Sequence, residues 1–534
     1  MVWVDRIIGD IQERFADKIA KREPLTIRDE KTLSGRVHVG SLRGIVIHGL
    51  IAEVLQEQGI RSTFRFELND FDPMDEIPAT LDRSTYLTFM GQPLFTVPAH
   101  QAGADNYPMV FGKELQGVIA KLGIPIEFYH LEPEYRTGKF NEVIRLALDH
   151  AAEIRAIYKE VSGSNKPDDW YPLQVICPQC DKIGTTQVTG WNGETVTFEC
   201  KKNHVKWAEG CGNIGEISPF DGTAKLPWKV DWPAKWKVFG VDIEGAGKDH
   251  SAAGGSREIG KRIAEEIFDY PNPFDIPYEF FNIGGKKMSA SKGLGASAKE
   301  VSDLVPPKLL KLLMIRKLPN QPIDFDPEGT TIPLLFDEYD RLADHYFNRH
   351  PSPDPDFART YHLTQTDFPK KPEDVWHMRF SLAAFLAQMP HLNALDEAAS
   401  LKGSPLTDAD REDLTERLAY AKHWIEEYAP EKYRFILVTT PPTGDAAKRF
   451  SDDERKALAA LSSTLQALGP AEWNGPRIHE AIHGVKTDLQ MEPQTLFRPL
   501  YQIFLNRNDG PQAGWILSTL DRSRVEQAIG SYSR

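Results

Sequence analysis

The run Thr32-Leu33-Ser34-Gly35-Arg36-Val37-His38-Val39-Gly40-Ser41 is a turn of small residues around one histidine. It leads directly into Leu42, Ile45, Val46, Leu50 and Val54, which recur at helical spacing. Leu25-Thr26-Ile27, just upstream, can end a strand. A strand, a glycine turn and a helix start predict an anion site, because unpaired backbone N–H groups and the helix dipole face outward there. His38 can donate a hydrogen bond to a phosphate and Gly40 lets backbone approach it, with Ser34, Gly35 and Ser41 completing the cradle. About 250 residues later comes Lys286-Lys287-Met288-Ser289-Ala290-Ser291-Lys292-Gly293. Lys287 and Lys292 are two cations on a loop of small residues, with Met288, Ser289 and Ser291 between them. Such a loop can neutralise phosphate charge as a bond to it breaks.

Three further constellations could do chemistry. Gly247-Lys248-Asp249-His250-Ser251 follows an expected strand and precedes an expected helix at Ile259–Phe268, where open α/β sheets bind ligands. Asp249 could accept from ribose hydroxyls there, and His250 could reach an amino acid or a phosphate. Asn69-Asp70-Phe71-Asp72-Pro73-Met74-Asp75-Glu76 puts carboxylates, Asp70 and Asp72 first, at a strand's C-terminal end, which suits a cationic substrate tail. Cys177-Pro178-Gln179-Cys180, Cys200 and Cys211 hold every cysteine of the chain within 35 residues. That spacing predicts a closed, structural zinc site, with His204 as an alternative to either later cysteine.

The elements that must position these residues are legible in outline. Strand-like Ser62–Leu68, helical Glu114–Leu122, strand-like Ile124–Tyr129 and helical Glu142–Tyr158 predict a parallel sheet with crossover helices. The turn-rich Gly163-Ser164-Asn165-Lys166-Pro167-Asp168-Asp169 opens an insertion that holds the cysteines and ends near Pro219. The sheet is expected to resume with Trp228–Trp232 and Lys237–Asp242 and to end around 286–293. After Pro306-Pro307 the chain turns helical. The expected class is therefore α/β: a Rossmann-type parallel-sheet domain with a zinc-ribbon-like insertion, followed by an all-α C-terminal domain.

At 534 residues, 26% charged and 41% hydrophobic, the chain is too apolar for disorder and long enough for two or three domains. No apolar run approaches a membrane span. The start, Met1–Ile8 running into Glu13, Arg14, Asp17 and Lys18, reads as an amphipathic helix and not a secretion signal. Four cysteines make no disulfide framework at this size, so a cytoplasmic protein is expected. The net charge is −14, of which −12 falls in residues 1–400. That balance counts against a nucleic-acid partner, although a locally basic face can coexist with it.

The two opening runs resemble the HIGH and KMSKS signatures of class I aminoacyl-tRNA synthetases, with Ser41 and Ala290 standing where many members have histidine and lysine. Beyond them, Trp3-Val4-Asp5, Asn69–Pro73, Gly138–Glu142, Trp228–Trp236, Gly247–His250, Pro319-Asn320 and Ile323–Pro327 resemble the archaeal-type, class I lysyl-tRNA synthetases. The likeness spans residues 1 to about 345. The resemblance implies a lysine–tRNA ligase acting on L-lysine, ATP with Mg2+ and lysine-specific tRNA, and activation that needs bound tRNA. It implies a catalytic domain over 1–300 with a Zn2+-binding insertion at 163–220. A helical connector over 301–345 and an anticodon-binding helical domain over 346–534 would follow. It also implies that Tyr278, Trp228 or Trp232, and His250 line the lysine pocket. The acidic loop favours a basic amino acid over glutamate. The alternatives are a glutamyl- or cysteinyl-type synthetase or paralogue, or a non-catalytic RNA-binding relative.

Overall fold

Three strands form the heart of the first half: β1 (Leu25–Thr32), β2 (Ser62–Asn69) and β3 (Glu127–His130), all parallel and in that spatial order. A computed structural model describes residues 2–284, 286–287 (backbone only), 296–351, 354–389, 392–435, 438 and 449–532. On the free side of β1, parallel bridges join Ile27 to Ile243, Ile243 to Phe274 and Gly247 to Tyr278. Strand order therefore reverses beside β1. Such a switch point leaves a crevice at the carboxyl ends of the strands, and this is where doubly wound sheets hold ligands.

The helix Ser41–Glu57 crosses from β1 to β2 and is buried along almost its whole length, so it is apolar on nearly every face. Its buried acidic residue, Glu53, is held by Lys311 at 3.0 Å and Lys370 at 2.8 Å. Helices Trp3–Arg14, Tyr107–Lys121 and Ala151–Ser162 complete the alternating layout. The expected single helix over 142–158 is two, Asn141–Asp149 and Ala151–Ser162, broken at His150.

A second expectation is corrected. Trp228–Trp232 and Lys237–Phe239 are not strands; they belong to one helix, Trp228–Phe239, ended by Gly240 at φ 62°. Aromatic and β-branched residues favour strands. Here, however, Trp228, Trp232 and Trp236 recur every four residues and share a helix face. Only Val241-Asp242 turns back to the sheet, where the Asp242 amide donates to the Thr26 carbonyl at 2.9 Å.

Between these parts lies the cysteine-rich insertion. It is an antiparallel sheet of Thr186–Trp191, Val196–Cys200 and Ile214–Ile217, with a two-stranded stem of Gln174–Val175 and Ala224–Lys225. Phe281–Ile283 pairs in parallel with Ile323–Phe325 and antiparallel with Lys286–Lys287.

The chain divides into two units, Met1–Asp326 with Arg341–Asp374 and Pro327–Asp340 with Val375–Arg534. The second contains no strand among the described residues; it is built of helices such as Asp408–Glu427, Asp452–Ala467, Gly475–Asp488 and Pro493–Leu505. Its interior holds Phe336 stacked on Phe380 and a buried Arg417 that donates to Asp340 at 2.5 Å and Asp413 at 2.7 Å. Among the described residues no helix is long and apolar enough to cross a membrane.

Candidate active site

A cavity of about 570 Å³ opens at the switch point. The end of β1 supplies Asp29, Glu30, Lys31 and Thr32, and the glycine turn supplies His38, Gly40 and Ser41. The opposite wall is Trp228, Trp232, Glu244, Asp249, His250 and Tyr278, and Asp72 closes one side. The turn is tied down by Tyr107, whose hydroxyl donates to the Ser34 carbonyl at 2.6 Å, and by the Leu33 amide on the Asn69 carbonyl.

The backbone anion cradle differs from the sequence expectation. The amides of Ser41, Leu42 and Arg43 donate to the carbonyls of His38, Val39 and Gly40 at 3.0, 2.9 and 3.2 Å. A tight first turn therefore satisfies the N–H groups that a looser turn would leave outward. Polar recognition shifts to side chains. His38 Nδ1 is buried without a partner, and burial, reinforced by the Lys31 charge, lowers its pKa to about 4. The ring is thus neutral at physiological pH and keeps an N–H to donate.

The aromatic wall is rigid. Trp228 stacks on Trp232 at 5.5 Å and 15°, and the His250 ring sits 5.0 and 6.0 Å from them. Their indole N–H groups donate to Glu30 at 3.2 Å and Glu244 at 3.0 Å, and Trp236 donates to Glu244 at 2.8 Å. Burial lowers the His250 pKa against the pull of Asp249 and Glu30. Burial raises that of Tyr278, helped by Asp29 and Glu244.

His48, fully buried under this wall, accepts the Gly245 amide at 2.7 Å through Nε2. Its Nδ1 therefore carries the proton, which faces the Gly44 carbonyl at 2.8 Å and Asp29 at 3.1 Å. Gly44 has no room for a side chain, since a Cβ there would stand 2.5 Å from the Tyr278 hydroxyl and 2.7 Å from Asp29.

Behind the cavity lies an ion network that apolar periodicity does not reveal. Arg28 donates to Glu67 at 2.6 Å and Glu244 at 2.8 Å. Lys235 meets Glu67, Glu30 and Asp231 at 2.6, 2.8 and 2.9 Å. Lys225 meets Asp72 at 2.9 Å and Asp231 at 3.0 Å. The one legible hint is Arg28-Asp29-Glu30-Lys31, four successive charges inside a strand between Ile27 and Thr32.

The acidic loop divides. Asp72 lines the cavity and accepts from Thr32 at 2.7 Å and Asn69 at 2.9 Å. Asp70 does not line it; it faces His130 at 3.1 Å and the Glu132 amide at 3.0 Å. Of the lysine run, Lys287 is described by its backbone alone, and Met288, Ser289, Ser291 and Lys292 lie outside the described residues. Ser34 and Gly35 support the turn without lining the cavity.

In the insertion, ligand sulfurs of Cys177, Cys180, Cys200 and Cys211 all lie within 4.8 Å of one another. Cys177–Cys211 is 3.6 Å and Cys180–Cys200 3.7 Å. A tetrahedron with Zn–S bonds near 2.3 Å has edges of about 3.8 Å, so the four thiols fit that ion. His204 is not part of the cluster. The Cys211 amide and the Thr185 hydroxyl stand 3.3 and 3.2 Å from Cys200 Sγ. Such contacts orient sulfur ligands.

The family model described as tRNA synthetases class I (K) matches residues 1–367. A lysine–tRNA ligase of Thermoplasma acidophilum is 30% identical over 537 residues, covering 100% of this chain and 99% of that protein. One of Methanosarcina barkeri is 30% identical, covering 98% of this chain and 97% of that protein. One of Methanocaldococcus jannaschii is 29% identical, covering 98% of each.

Proposed function

The chain belongs to the class I tRNA synthetases (K), and from that premise we propose that it is a lysine–tRNA ligase. It joins L-lysine to ATP as lysyl-adenylate and passes the lysyl group to the 3'-terminal ribose of lysine tRNA. The observation that carries this reading is the cavity at the sheet's switch point. It combines the unpartnered imidazole of His38, set in a small-residue turn before a helix, with an aromatic wall backed by carboxylates. Adenylation needs no protein nucleophile. The lysine carboxylate attacks the α-phosphate, pyrophosphate leaves, and the enzyme aligns the pair and offsets charge.

In this reading neutral His38 donates to the phosphate chain beside Gly40 and Ser41, and Asp249 serves the ribose. Lys287 and Lys292, with Met288, Ser289 and Ser291, follow the departing pyrophosphate. Trp228, Trp232, His250 and Tyr278 enclose the lysine, with Asp72 at the edge. Mg2+ would offset phosphate charge. The four cysteines would hold one structural Zn2+, which pins the insertion and takes no part in the reaction. The helical region after about 346 would read the anticodon, and the protein would work in the cytoplasm.

Pyrophosphate exchange across all twenty amino acids, with and without tRNA, tests the proposal. Lysine- and tRNA-dependent exchange is expected. Stimulation by glutamate or cysteine would transfer the chain to another specificity, and no exchange at all would leave an RNA-binding relative without catalysis.

A further inference from the structure

The cavity carries one cation that the family reading does not use. Lys31 is the penultimate residue of β1 and lines the cavity with His38, Ser41 and His250. Strand alternation puts it on the same face as Asp29, the face turned to the helix Ser41–Glu57. Its side chain makes no hydrogen bond or ion pair with any described residue. The cavity's other charges contrast with it. Glu30 is engaged by Arg28, Lys235 and Trp228; Asp29 by His48; Asp72 by Lys225; Glu244 by Arg28 and two indoles; Glu279 by Lys248 at 2.5 Å. Glu30, Asp72, Glu244 and Glu279 thus each meet a cation, while the Lys31 side chain faces the cavity.

An unpaired cation held in a protein wall is costly unless a ligand completes it. Burial depresses the Lys31 pKa, and only the nearby charges of Asp29 and Glu30 oppose this. Lys31 shares the cavity with His38 and Ser41 of the turn and with His250 of the opposite wall, where two anions, a carboxylate and a phosphate, must meet in adenylation.

Resting on the lysine–tRNA ligase reading, we propose that Lys31 is a catalytic residue whose ammonium binds the non-bridging oxygens of the ATP α-phosphate as the lysine carboxylate attacks. A carboxylate oxygen forms the new bond to phosphorus. The bond from phosphorus to the bridging oxygen breaks, and its electron pair leaves with pyrophosphate. No proton moves to or from Lys31. Its charge offsets the repulsion between the two anions and the charge gathered on the five-coordinate phosphorus.

Exchange kinetics of Lys31→Met and Lys31→Arg, with lysine and tRNA present, test this. The methionine variant should lose roughly ten- to a thousand-fold in kcat with KM for ATP changed far less, and arginine should restore most of the loss. Because methionine removes an unpaired charge, its melting temperature should equal or exceed the parent's. A methionine variant within twofold of parent kcat would overturn the proposal. So would lost activity that tracks a lowered melting temperature and is not rescued by arginine. A parent that activates another amino acid refutes the lysine reading alone, and Lys31 is then tested with that amino acid. A parent that exchanges with none of the twenty refutes both.

Discussion

Lys235 Nζ stands 2.6 Å from Glu67 Oε1, with both side chains fully buried between the helix Trp228–Phe239 and β2. Burial alone would lower the lysine pKa, yet Asp231, Glu30 and Glu67 hold it well above its ordinary value. The pair belongs to a set in which Arg28 shares Glu67 and Glu30. The network fixes where β1 ends and where the Trp228 and Trp232 rings stand, so a polar cluster sets the cavity's shape.

Lys235→Met should therefore destabilise the first unit strongly. Removing one member of a buried ion pair costs about 3–5 kcal/mol, because the partner carboxylates stay behind unmatched. Urea unfolding followed by tryptophan fluorescence reads it directly. A loss below about 1 kcal/mol would show that water or rearranged neighbours replace the lysine.

The four-thiol cluster predicts about one zinc per chain in protein purified without a metal-binding tag. Cys177→Ser should release it and loosen the insertion, leaving the parallel sheet folded. A metal-free chain as stable and active as the parent would exclude the ion.

His38→Ala should lower exchange kcat by roughly one to three orders of magnitude, as loss of a transition-state contact does. With its pKa near 4 in the fold against 6.5 free, His38 stays neutral as pH falls through 6. The unfolded chain binds that proton first, so this residue's contribution to stability declines from about pH 6.5 down to about 4. No acidic limb in kcat near pH 6 should belong to His38. A limb there that disappears in His38→Gln would contradict the neutral-donor role.

What could be read from the sequence follows from local physics. Leu42, Ile45, Val46, Leu50 and Val54 show a buried helix because their spacing is periodic, and the cysteines show a cluster because they are few and close. Trp228–Phe239 misleads because aromatic content suggests strand, while the four-residue recurrence of tryptophan is what places it. Arg28, Glu67 and Lys235 look like surface residues, since burial of charge depends on partners up to 216 positions away in the chain. Asp70 and Asp72 differ by two positions yet end on different partners, because only Asp72 faces Thr32 and Lys225. The backbone cradle was expected from the residue types, but the local bonds of Ser41, Leu42 and Arg43 depend on turn geometry that residue types leave open.

The second unit offers its own test of tRNA reading. A cavity of about 560 Å³ there is lined by Phe385, Tyr433, Phe435 and Trp515, with Arg379 and Lys432 at its wall. Gln388 accepts the Phe435 amide at 3.0 Å and donates to the Tyr433 carbonyl at 3.0 Å, so the aromatic segment is held in place. Lys432 Nζ lies 5.0 Å from the Tyr433 ring centre. Unstacked bases bind to such combinations of ring face and cation, at about 1–3 kcal/mol per stacked base. Tyr433→Ala should therefore weaken lysine-tRNA binding roughly 5- to 150-fold, with ATP binding unchanged. Lys432→Ala should reduce the salt dependence of binding by about one phosphate contact. Filter binding over a range of salt concentrations, with circular dichroism to confirm folding, decides it. If both folded variants bind tRNA as the parent does, base reading lies elsewhere in the chain.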